Sequence, residues 1–160
     1  MIAQSRTRGA GLGQDLGITY PRGALLPDGS QPLVVDDPIN DYKPSARPGS
    51  RAPHLWIERR EAKLSTLDLF GGRFALLTGA DYQPAKLETD SVTVFRNGSD
   101  FVADSFEELY GISPTGAVLV RPDGYVGARL PQVPKNFPEQ FQSAIASILR
   151  ARLQLNAVPY

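Results

Sequence analysis

The chain has 160 residues, 17 Lys+Arg balanced by 17 Asp+Glu, no cysteine and one histidine, His54. Without thiols there are no disulfides, Fe–S clusters, thiolate metal sites or cysteine-based redox and protease chemistry, and a lone histidine excludes a two-histidine metal site. A formal net charge of +0 argues against a nucleic-acid or anionic-membrane partner, and 41% hydrophobic residues make a globular chain long enough for one domain with a substantial core.

In chain order, Met1–Arg6 lacks the apolar stretch of a signal peptide, and no apolar run approaches the ~18 residues of a membrane span, so the expected location is the cytoplasm. Gly9-Ala10-Gly11-Leu12-Gly13 invites a nucleotide-loop reading. The third glycine of such a loop is missing, with Gln14 and Leu16 at the positions that need it, and no strand precedes. A flexible linker is the expectation there. Residues 1–53 hold half of the 14 prolines: Pro21, Pro27, Pro32, Pro38, Pro44, Pro48 and Pro53. Each fixes φ, removes a backbone donor and turns its predecessor away from helix. The segment therefore reads as an extended Pro/Gly-rich arm, with short extended pieces at Ile18–Tyr20 and Leu33–Val35. Tyr20, Leu25, Leu26, Leu33 and Val34 are too apolar for a solvated tail, so the arm must lie on its own domain or on another polypeptide. Asp36, Asp37 and Asp41 lack the spacing of a calcium loop and read as turn carboxylates. Arg47 and Arg51 put two guanidiniums on one short loop, which reads as a structural interdomain clamp or an anion site, or else as a solvated loop.

From residue 54 the pattern changes to alternating strands and helices. His54, beside Pro53, reads as a packed structural histidine, since no Gly-x-Ser-x-Gly nucleophile turn accompanies it. Strands are predicted at Leu55–Ile57, Phe74–Thr78, Val92–Phe95, Ala117–Val120 and Tyr125–Ala128. Pro84–Glu88 offers one or two weak helical turns, and Asn97-Gly98 ends a strand. Asp104 is the predicted N-cap of a short helix to Tyr110, stopped by Gly111. Arg121-Pro122-Asp123-Gly124 has the residues of a tight turn, flanked by Arg121 and Arg129 as ion-pair partners. Asn136 and Glu139 form a capping box for an amphipathic helix that places Phe137, Phe141, Ile145, Leu149 and Leu153 on one face, to about Leu155.

The segment Ile112-Ser113-Pro114-Thr115, ahead of a strand and a hairpin, resembles the cis-proline loop of thioredoxin-like domains. With no cysteine to face it, such a domain is redox-silent. Several stretches resemble one family, the FAD-dependent aromatic hydroxylases of the p-hydroxybenzoate hydroxylase type, in their C-terminal thioredoxin-like domain. Arg47-Pro48-Gly49-Ser50-Arg51-Ala52-Pro53-His54 is similar to the start of that domain. Leu64–Phe70 followed by Phe74–Gly79 resembles its next block, and Tyr110–Ile112 with Gly116–Val126 its terminal hairpin. Leu16–Tyr20 resembles the segment leaving the substrate domain. The chain departs from the family in a shortened stretch between Gly79 and Val92 and in Val126-Gly127-Ala128-Arg129, where an aromatic residue is usual.

The resemblance implies an α/β fold: a thioredoxin-like central mixed sheet with flanking helices over 54–160, preceded by the arm 1–53. It implies that FAD and NAD(P)H serve a catalytic domain absent from these residues, so that neither catalytic, cofactor nor metal residues are expected here. The expected partner is that flavin-binding domain or a second copy of the chain, with Tyr20, Arg47, Arg51, His54, Trp56, Arg121, Asp123 and Arg129 as candidate interdomain or interface residues. The alternative is a stand-alone, redox-inactive thioredoxin-like module for binding or oligomerisation. A small independent enzyme is the weakest reading, for want of paired carboxylates.

Overall fold

A computed structural model describes residues 12–21, 23–83, 91–133, 143 and 146–148. Its centre is a four-stranded sheet of β3 (Phe74–Thr78), β4 (Val92–Arg96), β5 (Ala117–Val120) and β6 (Val126–Leu130). The spatial order is β4-β3-β5-β6. β3 and β4 run parallel with Phe74 beside Val92, and the β3–β5 and β5–β6 pairs are antiparallel. The fold is mixed α/β, as expected from the sequence.

All five residues of β3 and all four of β5 are buried. That matches their unbroken apolar runs, because a central strand covered on both faces has no need of polar alternation. Ala75, Leu77, Val118, Val120 and Val126 point to one core, shared with Phe101, Phe106, Tyr110, Ile57, Ala46 and Ala52. Phe74, Leu76, Ala117, Leu119 and Ala128 point to the other, shared with Tyr82 and Ile148. Phe106 sits between Phe101, which it meets edge-on, and Tyr110, tilted against it, with ring centroids 5.1 and 4.7 Å away. Of the long amphipathic helix predicted to Leu155, residues 143 and 146–148 are helical and Ile148 is buried. The rest of that prediction, and the weak turns at Pro84–Glu88, lie outside the described residues.

A second sheet is a hairpin of β1 (Trp56–Arg59) and β2 (Ala62–Ser65). β2 was not expected. The connecting pair, Arg60 and Glu61, takes positive φ at both positions (50° and 64°). Such turns normally use Asn or Gly, so the usual sequence signal is missing. Ser65 then caps a 3-10 turn, Thr66–Leu69, in a capping box with Asp68. The helix α2 spans Phe106–Tyr110 (with α1 the turn Leu12–Leu16) and stops at Gly111 in the left-handed region, as predicted. Its N-cap position is Ser105 rather than Asp104, and no side chain bonds the first turn. Leu12–Leu16 being helical also corrects the linker reading at Leu12-Gly13.

The loops after β3 and before β5 close on each other. Asp81 N donates to Pro114 O at 2.9 Å, and Gly79 N to Gly116 O at 3.1 Å. A Cβ on Gly79 would lie 2.3 Å from Pro114 O, so only glycine allows this approach. No described peptide bond is cis, that of Pro114 included. Gly79→Ala is therefore expected to cost about 1–3 kcal/mol in urea unfolding. Gly71→Ala, with open space around it, should stay within about 0.5 kcal/mol of the parent.

Candidate functional site

The expected interface residues fall into a seam between the arm and the sheet, plus one outlying group. The seam begins at a bulge. Leu119 pairs with Ala128 but Val120 pairs with Val126, leaving Gly127 as the extra residue. A bulged residue is released from the ladder, and Gly127 O accepts Leu26 N at 2.7 Å. Gly49 N donates to Val126 O, Val126 N to Ser50 O and Ala52 N to Gly124 O, at 2.8 to 2.9 Å. Arg51 bridges Tyr125 in antiparallel fashion. The arm thus folds back on its own domain and covers the open edge of the sheet. Ile18–Tyr20 and Leu33–Val35 are unpaired rather than strands, although Tyr20 N donates to Gly49 O at 2.9 Å.

Side chains reinforce the seam. Arg129 forms an ion pair with Asp28, Nε to Oδ2 at 2.7 Å, across 101 residues of sequence. Both side chains are largely buried. Ser30 also bonds the Asp28 carboxylate through its hydroxyl and its N–H. Burial alone would raise the Asp28 pKa, but the Ser30 bonds and the Arg129 charge together hold it below its usual 3.8. Arg121 forks onto Asp123 and lies over the Tyr20 ring at 6.0 Å. Tyr20 in turn meets Tyr125 edge-on at 4.8 Å. Arg47 Nε donates to Ser30 O at 2.9 Å.

His54 and Trp56 stand apart from this group, on the hairpin. His54 Nδ1 and Ser65 Oγ are 2.7 Å apart, and its ring meets Trp56 edge-on at 4.9 Å. Trp56 is 57% exposed, with Lys63 Nζ over its face at 5.2 Å. The Ser65 hydroxyl also accepts Leu67 N, as expected of a capping residue rather than a nucleophile. Asp37 accepts from Ile39 N and from Asn40, and Asp41 accepts Asp37 N, so these carboxylates cap their own turn. Among the described residues no cluster suits a metal ion, and no helix is long and apolar enough to cross a membrane.

Two clefts open on the arm, of about 350 and 370 Å³. They share Thr19, Pro32 and Arg47 as a common wall. The first is also lined by Tyr42 and Arg51. Burial raises the Tyr42 phenol pKa, and the Arg51 charge opposes that rise.

Sequence reasoning missed Asp28, Tyr42 and Asn97. The run Asp28-Gly29-Ser30 signals a turn, but nothing in it points to Arg129. Asn97, read only as part of a turn, is buried and ties Ala103 N and O to Glu107 at 3.1 to 3.2 Å.

A family model described as "Aromatic-ring hydroxylase, C-terminal" matches residues 45–151. Aklavinone 12-hydroxylase RdmE of Streptomyces purpurascens is 33% identical over 144 residues, which are 84% of this chain and 26% of that protein. The 2,4-dichlorophenol 6-monooxygenase of Delftia acidovorans is 31% identical over 152 residues, 86% of this chain and 26% of that protein. Among solved structures, the flavin-dependent monooxygenase PieE, in complex with FAD and substrate, superposes with a TM-score of 0.76 at 35% identity, over 87% of this chain and 26% of that one. The chain thus spans about a quarter of the length of these relatives.

The Asp28–Arg129 pair carries a stability prediction. A carboxylate held below its unfolded pKa adds stability that is complete above that pKa and is lost as pH falls through the folded value. The urea midpoint of the parent should fall between about pH 5 and pH 3, and Asp28→Asn should flatten that fall. At neutral pH, Arg129→Ala should cost about 3 kcal/mol, because it strands a buried carboxylate.

Proposed function

Since the chain belongs to the aromatic-ring hydroxylase family by its C-terminal domain, we propose that it is the non-catalytic C-terminal module of an FAD-dependent aromatic monooxygenase. FAD and NAD(P)H then act on a catalytic part outside these residues, and this module supports assembly with it. The observation that carries the reading is that three of the arginines at the arm–sheet seam serve structure. Arg129 is held by Asp28, Arg121 by Asp123 and Arg47 by the Ser30 carbonyl.

At Gly13, the described glycine of the Gly9–Gly13 run, the surroundings do not suit the pyrophosphate of FAD. The flavin's pyrophosphate needs backbone N–H groups at a helix N-terminus. Gly13 instead faces carbonyl oxygens: a Cβ there would lie 2.4 Å from Pro38 O and 2.6 Å from Asp41 O. Oxygen atoms in that place repel phosphate. The thioredoxin-like and redox-silent parts of the reading rest on the strand order β4-β3-β5-β6, on the sealed loops at Gly79 and Pro114, and on the absence of cysteine. A cytoplasmic location is proposed with them.

One observation favours the second reading, a stand-alone binding or oligomerisation module: the arm covers the β6 edge of its own sheet. Purified protein should be colourless, and ultrafiltration should recover added FAD entirely in the free fraction. A stoichiometric flavin band overturns the non-catalytic reading. Concentration-dependent association in sedimentation favours an apolar face made for a partner, and a strict monomer favours a stand-alone binding module that does not oligomerise.

A further inference from the structure

The arm turns its backbone hydrogen bonds toward β6 and leaves apolar side chains on its surface. Val34 is 82% exposed, Leu33 51% and Ile18 49%. Ile18 and Leu33–Val35 all line the first cleft. Among the described residues, the backbone N–H groups of Ile18, Leu33, Val34 and Val35 make no hydrogen bond, and the only one their carbonyls accept is from Lys43 Nζ to Val34 O. Open backbone donors and acceptors beside apolar side chains are what an added strand uses.

The charge behind this strip has a sign. Arg47 and Arg51 line the cleft, and the Arg51 guanidinium makes no hydrogen bond or ion pair among the described residues. Asp41 is the single carboxylate in the lining. A cleft with surplus guanidinium suits a carboxylate, which it can bind by two parallel N–H···O bonds.

We infer that Leu33–Val35, with Arg51 behind it, seats an extended, carboxylate-bearing segment of the flavin-binding catalytic part. The inference rests on the module reading above and names the surface by which the module docks. Two features select this occupant. The relatives carry this domain as about a quarter of their length, so polypeptide beyond it accompanies the domain in each of them. The surplus positive charge of the cleft then asks that polypeptide for an acidic segment, which gives direction and register to the docking.

A photo-crosslinking amino acid in place of Val34, introduced in the source cells, tests this, with Trp56 as the comparison site. Both positions are exposed, so the fold should survive either replacement, and matching melting curves check that it does. The expected result is a crosslink from position 34 to a peptide containing Asp or Glu within flavin-binding sequence, on the same or another polypeptide. Arg51→Glu should lower its yield about tenfold, and Arg51→Lys much less. A crosslink to flavin-binding sequence from position 56 alone, or from position 34 to a second copy of this domain, overturns the surface while leaving the module reading intact. No crosslink from either position, to flavin-binding sequence or to a second copy, overturns both.

Discussion

The carbonyl oxygen of Pro53 is the point on which the domain is hung. It accepts the Tyr110 hydroxyl at 2.7 Å and the Thr66 hydroxyl at 2.9 Å. Thr66 is further tied to Leu55, accepting Leu55 N and donating its own N–H to Leu55 O. The end of the arm, the 3-10 turn after the hairpin and the helix α2 therefore meet at one buried oxygen. A carbonyl there without partners would cost a desolvation penalty of roughly 1–3 kcal/mol. Burial pushes the Tyr110 phenol well above its ordinary pKa, so it stays a neutral donor at any physiological pH.

From that point the arm has one direction available. Ser50–Ala52 run beside the start of β6, and the bulge at Gly127 offers a further carbonyl to Leu26. Arg129 then fixes the loop at Asp28. The proline-rich segment loses no ladder by lacking N–H groups, because it contributes isolated bonds at non-proline positions rather than a full strand. The consequence for function is geometric. One side of the arm is fastened to the sheet, and the other is presented outward with its apolar residues.

Much of this was legible in the sequence. The strands β3, β4, β5 and β6 are apolar or β-branched runs bounded by turn residues, and that signal is local. The glycine stop of α2 and the Asp-Gly turn of the β5–β6 hairpin are local too. The hairpin β1–β2 was not legible beyond its first strand, because Arg60-Glu61 adopts a turn conformation that its residue types do not advertise. The Asp104 cap failed because a favourable residue one position too early makes no bond. The candidate arginines were legible as residues in need of anions, but their partners were not. Asp28 and Arg129 find each other only through the tertiary fold, and the bulge that orients the arm is a one-residue register shift with no pattern in the sequence.

Hydrogen–deuterium exchange of the backbone amides tests most directly whether the arm is part of the fold. The amides of Leu26, Gly49 and Ala52 donate to backbone carbonyls across the seam, and that of Tyr20 to Gly49 within the arm. An arm held by the Pro53 clamp and the Asp28–Arg129 pair should show these amides protected and released together with those of β6. Exchange at free-coil rates in these four, with the central strands still protected, would contradict it: the arm would then be a separate segment, and the seam would not exist in solution.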